Sequence, residues 1–191
     1  MNLCVCYSSS DSPLWATFLS SKVNGLLCPM QKLINDVAIA LAQEIASAWI
    51  VSECSNHRKP SPKQDRLVRL CPIPARPEHL LKRGFSPQHL LADRLAHDLG
   101  PRFLYDARTL IRVKPTLSQT GSSRKKRLRQ QDHSLFYRGQ AHDQVIIVDD
   151  VLTTGSTLKE AQRALNQAHA RSLASCLMFL TQDESFLDSN S

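Results

Sequence analysis

The chain has 191 residues, 42% of them apolar, which is enough for one domain of ordinary size with a buried core. Lysine and arginine outnumber aspartate and glutamate by 24 to 17, and the formal charge of +7 favours anionic partners, either nucleic acid or small phosphorylated metabolites. The longest apolar stretch, residues 37–51, is interrupted by Gln43 and Glu44 and is too short for a bilayer. The six cysteines lack the spacing of a disulfide scaffold. We therefore expect a cytoplasmic protein with no membrane association.

The first 66 residues are predicted to form a helical and irregular amino-terminal segment. Residues 1–29 show no clear periodicity, residues 31–50 carry apolar side chains at helical spacing, and residues 52–66 are polar and contain two prolines, which is typical of a linker. Residues 67–191 are predicted to form the main domain, because a short apolar strand at 67–73 opens a series of alternating strands and helices.

A helix is predicted over Pro87–Leu99, with Ser86 as its N-cap and Gly100 as its stop signal. A second helix is predicted from Thr157, where Thr157 and Glu160 match a capping box. Three further strands are predicted at residues 103–112, 145–148 and 173–180. This alternation predicts an α/β fold with a central, mostly parallel sheet flanked by helices.

The most informative segment, residues 145–157, reads Val-Ile-Ile-Val-Asp-Asp-Val-Leu-Thr-Thr-Gly-Ser-Thr. A buried strand ends in two acidic residues and leads through a glycine–hydroxyl loop into a helix, and ligands of open α/β sheets bind beyond the carboxyl ends of the strands. The backbone N–H groups and the dipole at the start of the helix favour an anion. The residues predicted to cradle a phosphate monoester are Thr153, Thr154, Gly155, Ser156 and Thr157.

Asp149 and Asp150 fit a sugar beside that phosphate, because carboxylates accept hydrogen bonds from vicinal hydroxyls and attract Mg²⁺ directly or through water. We expect both to serve as the catalytic carboxylates and as Mg²⁺ ligands. The alternative is an aspartate pair that acts only in the turn and the helix cap. The hydroxyl-rich loop that follows favours the sugar site.

This segment resembles the thirteen-residue signature of type I phosphoribosyltransferases, which bind 5-phosphoribosyl-1-pyrophosphate (PRPP). Within that superfamily the chain resembles the competence-protein ComF/GntX family. Three further segments carry the resemblance: Pro72-Ile-Pro-Ala-Arg76 with Arg83-Gly-Phe85, the basic run from Lys114-Pro-Thr116 to residues 124–127, and Phe136.

The resemblance implies Mg²⁺-dependent transfer of the phosphoribosyl group of PRPP to an unidentified acceptor, with pyrophosphate bound by Arg76, Arg83, Lys114 and Arg124. Two alternatives stay open. One is a ComF-like DNA-uptake or nucleic-acid-associated protein, in which residues 124–129 grip the phosphate backbone, and the other is a PRPP-sensing regulator without turnover. A homodimer is compatible with each of them.

The chain departs from the family pattern in three places, one of which is Ser122, where leucine is usual. Ser86-Pro87 stands where family members usually carry Asn-Gln, so that Gln88 falls one place later. The family also commonly opens with paired Cys-x-x-Cys zinc motifs, whereas this region holds only Cys4, Cys6 and Cys28, fewer than the four ligands of a tetrahedral zinc site. We therefore expect no zinc ribbon.

The basic run at residues 114–131 is predicted to be a mobile loop that closes over Mg²⁺·PRPP, since closure excludes water from a reacting centre. Trypsin should cut the ligand-free protein between Arg124 and Arg129, and the ligand should protect these sites. A nucleic-acid grip instead predicts protection by DNA that fades with salt, and a solvated charge run predicts cutting under every condition. Unchanged cleavage at saturating Mg²⁺·PRPP would contradict the lid.

Overall fold

Five parallel strands form the central sheet of the protein, whose structure is a computed structural model that describes residues 3–9, 12–55, 67–113 and 134–180. The strands of these ranges are β1 (Leu3–Ser9), β2 (Val68–Pro72), β3 (Phe103–Tyr105), β4 (Leu110–Arg112), β5 (Leu135–Tyr137), β6 (Gln144–Leu152) and β7 (Arg171–Leu180). The helices are α1 (Pro13–Asn24), α2 (Leu27–Ser55), α3 (Pro77–Arg83), α4 (Pro87–Leu99) and α5 (Ser156–Gln167). The strand order is β1-β7-β6-β2-β3, and β4 and β5 form a separate antiparallel pair. The predicted α/β class with a parallel sheet is confirmed.

Strand β6 lies at the centre of this sheet and pairs in parallel with β2 on one side and β7 on the other. Its first half is an unbroken run of β-branched residues, which pack well on a pleated surface covered on both faces. The run from Val145 to Val148 is accordingly buried, with side chains alternating between two cores.

The two cores lie on opposite faces of the sheet and make the fold three-layered. On one face, α1, α2 and α4 pack against side chains such as Leu70, Ile146 and Cys176. On the other face, α5 and the β4–β5 pair cover Cys71, Ile147 and Leu177. Helix α2 therefore buries the apolar stripe that its sequence predicts, and it contacts α4 within the same layer.

The local helix predictions are confirmed with two corrections of detail. Helix α4 spans the predicted Pro87–Leu99, and α2 extends beyond the predicted 31–50 to Leu27–Ser55. Ser86 occupies the N-cap position of α4, but its side chain makes no capping hydrogen bond. The capping role predicted for its hydroxyl is therefore wrong.

The predicted Thr157–Glu160 capping box is also wrong. Helix α5 begins one residue earlier, at Ser156, after Gly155 at a φ of 69°, and no side chain caps it. Glu160 instead accepts backbone hydrogen bonds from Ser134 and from Leu135, the latter at 3.0 Å. Its carboxylate thereby attaches the start of β5 to the helix.

The amino-terminal residues contain regular structure that the sequence did not predict. Residues 1–29 include β1, which pairs with β7 at the edge of the sheet, and α1. The division of the chain at residue 67 stays a prediction, although β1 shares the sheet with the later strands. Cys4 and Cys6 lie in β1 and Cys28 is an exposed residue of α2, so zinc binding also stays a prediction.

The remaining predictions concern the strand at 103–112, Phe136, the basic run and membrane-spanning segments. The strand predicted in 103–112 is two short strands, β3 and β4, and Phe136 is an exposed residue of β5. The basic run 114–131, with Lys114 and Arg124, lies outside the described residues. No helix of the described ranges is both long and apolar enough to cross a membrane.

An ion-pair network connects β2 to the segment that follows β3 and to the segment that precedes β6. The guanidinium of Arg69, on β2, lies 2.7 Å from an Asp106 oxygen and 3.2 Å from an Asp143 oxygen. The hydroxyl group of Tyr137 donates a hydrogen bond to an Asp143 oxygen at 2.8 Å. Burial alone would raise the pKa of Asp106, but hydrogen bonds from the Arg108 N–H and the Arg69 guanidinium outweigh it and hold that pKa low.

Replacing Arg69 with leucine should lower the free energy of unfolding by about 2–3 kcal/mol, because Asp106 is only 9% exposed and would lose its counter-charge. The matched control is Arg94→Leu, which removes an i,i+4 ion pair with Asp98 from a 37% exposed guanidinium and should cost about 0.5 kcal/mol or less. Urea denaturation followed by circular dichroism at pH 7 measures both. Equal effects of the two substitutions would contradict a structural role for the network.

Candidate functional site

The strand order reverses between β2 and β6, and the segments that follow these two strands meet beyond the carboxyl edge of the sheet. The chain turns from β2 toward β3 on one side and from β6 toward β7 on the other. Such a switch point leaves a crevice between the two connections. The crevice is present as a cavity of about 910 Å³.

Three elements line this cavity. The loop after β2 and the start of α3 contribute residues 74–78, and the β4–β5 pair contributes residues around Arg112 and Ser134. The first two turns of α5 contribute Ser156, Thr157 and Lys159. The loop after β2 is held at its base by Gln88, whose side-chain amide donates to the Ile73 carbonyl at 3.0 Å. Arg76 and the start of α5 therefore share one cavity.

The hydroxyl-rich loop and the start of α5 are open to an anion. Thr153, Thr154 and Ser156 are exposed, and Thr157 is half-buried. The hydroxyl of Thr154 donates to that of Ser156 at 3.1 Å. Gly155 is buried at a positive φ that favours glycine, and it turns the chain from the strand into the helix. The uncapped first turn of α5 leaves backbone N–H groups for an anionic ligand.

Asp149 and Asp150 belong to the last part of β6 rather than to the loop. The backbone N–H of Asp150 donates to an oxygen of Asp149 at 2.9 Å. Burial and then the adjacent charge of Asp150 raise the pKa of Asp149 well above its ordinary value, while Lys22 acts in the opposite direction. The acidic pair therefore resists carrying two full negative charges unless a cation lies beside it.

That cation is Lys22, from helix α1. Its ammonium group donates to Asp150 Oδ2, with side-chain exposures of 18% for Lys22 and 13% for Asp150. The ammonium nitrogen also lies 4.9 Å from the centre of the Phe18 ring. An ion pair this shielded from water is held more firmly than a surface pair.

Arg112 is the second unpredicted cation of the site. Its guanidinium donates to the Pro74 carbonyl at 3.1 Å and to the Ser134 hydroxyl at 3.1 Å, which joins the loop after β2 to the β4–β5 pair. Burial and then the charge of Arg76 lower the pKa of Arg112, while Glu160 and Asp149 oppose that shift. Two arginines thus lie close enough to repel each other in one cavity, an arrangement that an anion stabilises.

The structure brings together only some of the residues that the sequence predicts. Arg76, Ser156 and Thr157 line the cavity. Arg83 does not line it; this side chain approaches His79 at 3.5 Å on α3. Asp149 lies near enough to influence Arg112 but does not line the cavity. The same is true of the other predicted residues of this segment, which are Asp150, Thr153, Thr154 and Gly155: none of them is among the described residues that line it. Lys114 and Arg124 lie outside the described residues.

The sequence contains weak signals at most for the residues that were missed. Arg112 ends the predicted strand segment just before the basic run, which could have marked it as part of the site. Lys159 and Arg163 are ordinary polar positions of an amphipathic helix. Lys22 lies 128 residues from its partner, and no local pattern connects the two.

The acidic pair does not fit a divalent ion held directly by both carboxylates. Asp150 Oδ2 already accepts a hydrogen bond from the Lys22 ammonium, so an ion on the same oxygen would lie against a cation. Within residues 3–9, 12–55, 67–113 and 134–180, no three His, Cys, Asp or Glu side chains are grouped as a metal site.

Comparisons with known proteins identify the family of the chain. A family model described as the phosphoribosyl transferase domain matches residues 81–189. The DNA utilization protein YhgH of Salmonella typhi is 32% identical over 174 residues, which cover 86% of this chain and 73% of that protein. YhgH of Escherichia coli O6:H1 is 31% identical over 158 residues, or 78% of this chain and 66% of that protein. The chain therefore belongs to the phosphoribosyl transferase domain family, of the type I superfamily, and to its ComF/GntX branch.

Proposed function

We propose that the chain binds Mg²⁺·PRPP and transfers its phosphoribosyl group to an acceptor with release of pyrophosphate. The observation that carries the proposal is the shared cavity of about 910 Å³, which Arg76 after β2 and the start of α5 after β6 line together. The acidic pair stands on the strand that leads into that helix. The pair does not line the cavity itself, but its position one short loop before α5 suits the sugar of a ligand whose phosphate groups bind in the cavity and at the start of that helix.

The 5′-phosphate is assigned to the loop of Thr153, Thr154, Gly155, Ser156 and Thr157. The hydroxyls of Thr153, Thr154 and Ser156 are exposed, and α5 begins without a side-chain cap. A phosphate monoester can therefore accept hydrogen bonds from hydroxyls and from backbone N–H groups of the first turn. The helix dipole adds a favourable interaction with the anion.

The pyrophosphate is assigned to the cationic side of the same cavity. Arg76 and Arg112 are close enough for the charge of Arg76 to lower the pKa of Arg112, and Lys159 lines the cavity beside them. Guanidinium groups bind phosphate oxygens in pairs, so the mutual repulsion of the arginines becomes attraction for the ligand. Arg83, Lys114 and Arg124 are carried into this assignment by the family resemblance alone.

In the transfer step, a nucleophilic atom of the acceptor forms a bond to C1 of the ribose as the bond from C1 to the pyrophosphate oxygen breaks. The electron pair leaves with pyrophosphate, and the proton of the acceptor passes to solvent. Asp149 and Asp150 would hold the ribose hydroxyls and favour the positive charge that develops on the sugar, while the arginines favour the leaving group.

A second candidate function is association with nucleic acid, and the observation that favours it is the name of the relatives, DNA utilization protein. The net charge of +7 is compatible with it. DNA binding that weakens steeply with salt, and that is lost when Arg124 and Arg129 are both replaced with alanine, would support this candidate. A PRPP sensor differs from both, since it binds Mg²⁺·PRPP but releases no pyrophosphate with any acceptor.

The double substitution Asp149→Asn with Asp150→Asn should weaken Mg²⁺·PRPP binding at least about tenfold, because charge-assisted hydrogen bonds to the ribose hydroxyls are lost. Titration calorimetry measures the affinity, and circular dichroism verifies the fold. The matched control is Asp36→Asn with Glu44→Gln, two exposed carboxylates on α2 that remove the same charge. Unchanged affinity in a folded double variant would contradict the assignment.

A further inference from the structure

We propose that Lys22 is a positioning residue of the ribose site and takes the place of a metal ion beside Asp150, so that a ribose 5-phosphate group binds there without Mg²⁺. This inference rests on the proposed function and adds two things to it. It makes α1 part of the ligand site, and it divides PRPP into a half that binds without metal and a pyrophosphate half that carries Mg²⁺.

Helix α1 is anchored so that Lys22 has a fixed place. Phe18 is fully buried, with its ring centre 5.5 Å from Trp15 and 4.9 Å from Phe179 of β7. Lys22 follows Phe18 by one helical turn and therefore lies on the same face, toward the sheet. The helix ends at Gly25, where an added Cβ would lie 3.3 Å from the Arg83 carbonyl, so its end also lies close against α3.

The contact between Lys22 and Asp150 involves a single oxygen of the Asp150 carboxylate. Lys22 donates to Oδ2 of Asp150, and the Asp150 N–H donates to Oδ1 of Asp149. These two contacts orient both carboxylates, through Oδ2 of Asp150 and Oδ1 of Asp149. A ribose with two vicinal hydroxyls needs carboxylate acceptors held in a fixed orientation.

A divalent ion is not needed for this recognition and would be disfavoured in it. Mg²⁺ takes oxygen ligands at about 2.0–2.1 Å in a strict octahedron and gives up its waters reluctantly. To bind Oδ2 of Asp150 it would have to displace an ammonium group that is only 18% exposed and packed over the Phe18 ring. Lys22 already supplies the positive charge that keeps two adjacent carboxylates compatible with each other.

Two other roles for Lys22 make different predictions. As a block, it would have to leave before a ligand enters, and its removal would tighten binding. As a purely structural contact, its removal would lower stability without changing ligand affinity in the protein that remains folded. A positioning role predicts that removal weakens binding of the ribose 5-phosphate half and makes it depend on metal.

The test is titration calorimetry with ribose 5-phosphate, a probe that lacks pyrophosphate, in Mg²⁺ and in EDTA. The wild-type dissociation constant should be the same within about twofold in both buffers. Lys22→Met should bind at least about tenfold more weakly in EDTA and recover in part with Mg²⁺. Lys22→Arg should bind without metal like the wild type. Lys32→Met, which removes an exposed cation of α2, is the matched control and should change nothing.

Each outcome decides the matter. Wild-type binding that appears only with Mg²⁺ overturns the inference and leaves the proposed function standing, as does tighter or unchanged binding by Lys22→Met. Binding of neither ribose 5-phosphate nor Mg²⁺·PRPP overturns the proposed function and the inference with it. If Lys22→Met fails to fold by circular dichroism, Lys22→Gln takes its place in the same series, with the same expected and contradicting results.

Discussion

The parallel pairing of β2 with β6 is the constraint on which the rest of the structure depends. It aligns Val68–Pro72 with residues 144–148, so the two strands run to the same edge of the sheet, where the segments that follow them line one cavity. Both cores are built on β6, whose alternating side chains reach each face. The cavity is thus a consequence of strand order, and the side chains around it only determine what it binds.

The site combines opposite charges on its two sides. Arg76, Arg112 and Lys159 stand on the side of the β4–β5 pair and α5, whereas Asp149 and Asp150 stand at the end of β6. Glu160 lies among the cations, but its oxygens accept backbone hydrogen bonds from β5, so it attaches a wall of the cavity. The cationic side suits anionic groups and the acidic side suits hydroxyl groups or cations.

Much of the fold could be predicted from the sequence because its signals are local. Pro87 and Gly100 set the limits of α4 without reference to the rest of the chain. The β-branched run of β6 likewise predicts a buried strand from its own residues alone. The predicted capping box does not form because the Glu160 carboxylate instead accepts a hydrogen bond from the backbone N–H of Leu135, in a strand that is distant in sequence. The sequence could not predict that Lys22 belongs to the site, because its pairing with Asp150 exists only after α1 has packed on β7.

The pairing of β1 with β7 has a consequence for how the chain folds. Leu3 is aligned with Ala174, so these partners lie nearly the whole length of the chain apart. Closing so long a loop has a large entropic cost before any contact repays it, and such high-contact-order pairings form late. During synthesis, β1 must wait until β7 has left the ribosome. Until then the amino-terminal strand presents unpaired backbone groups that a neighbouring chain can bind.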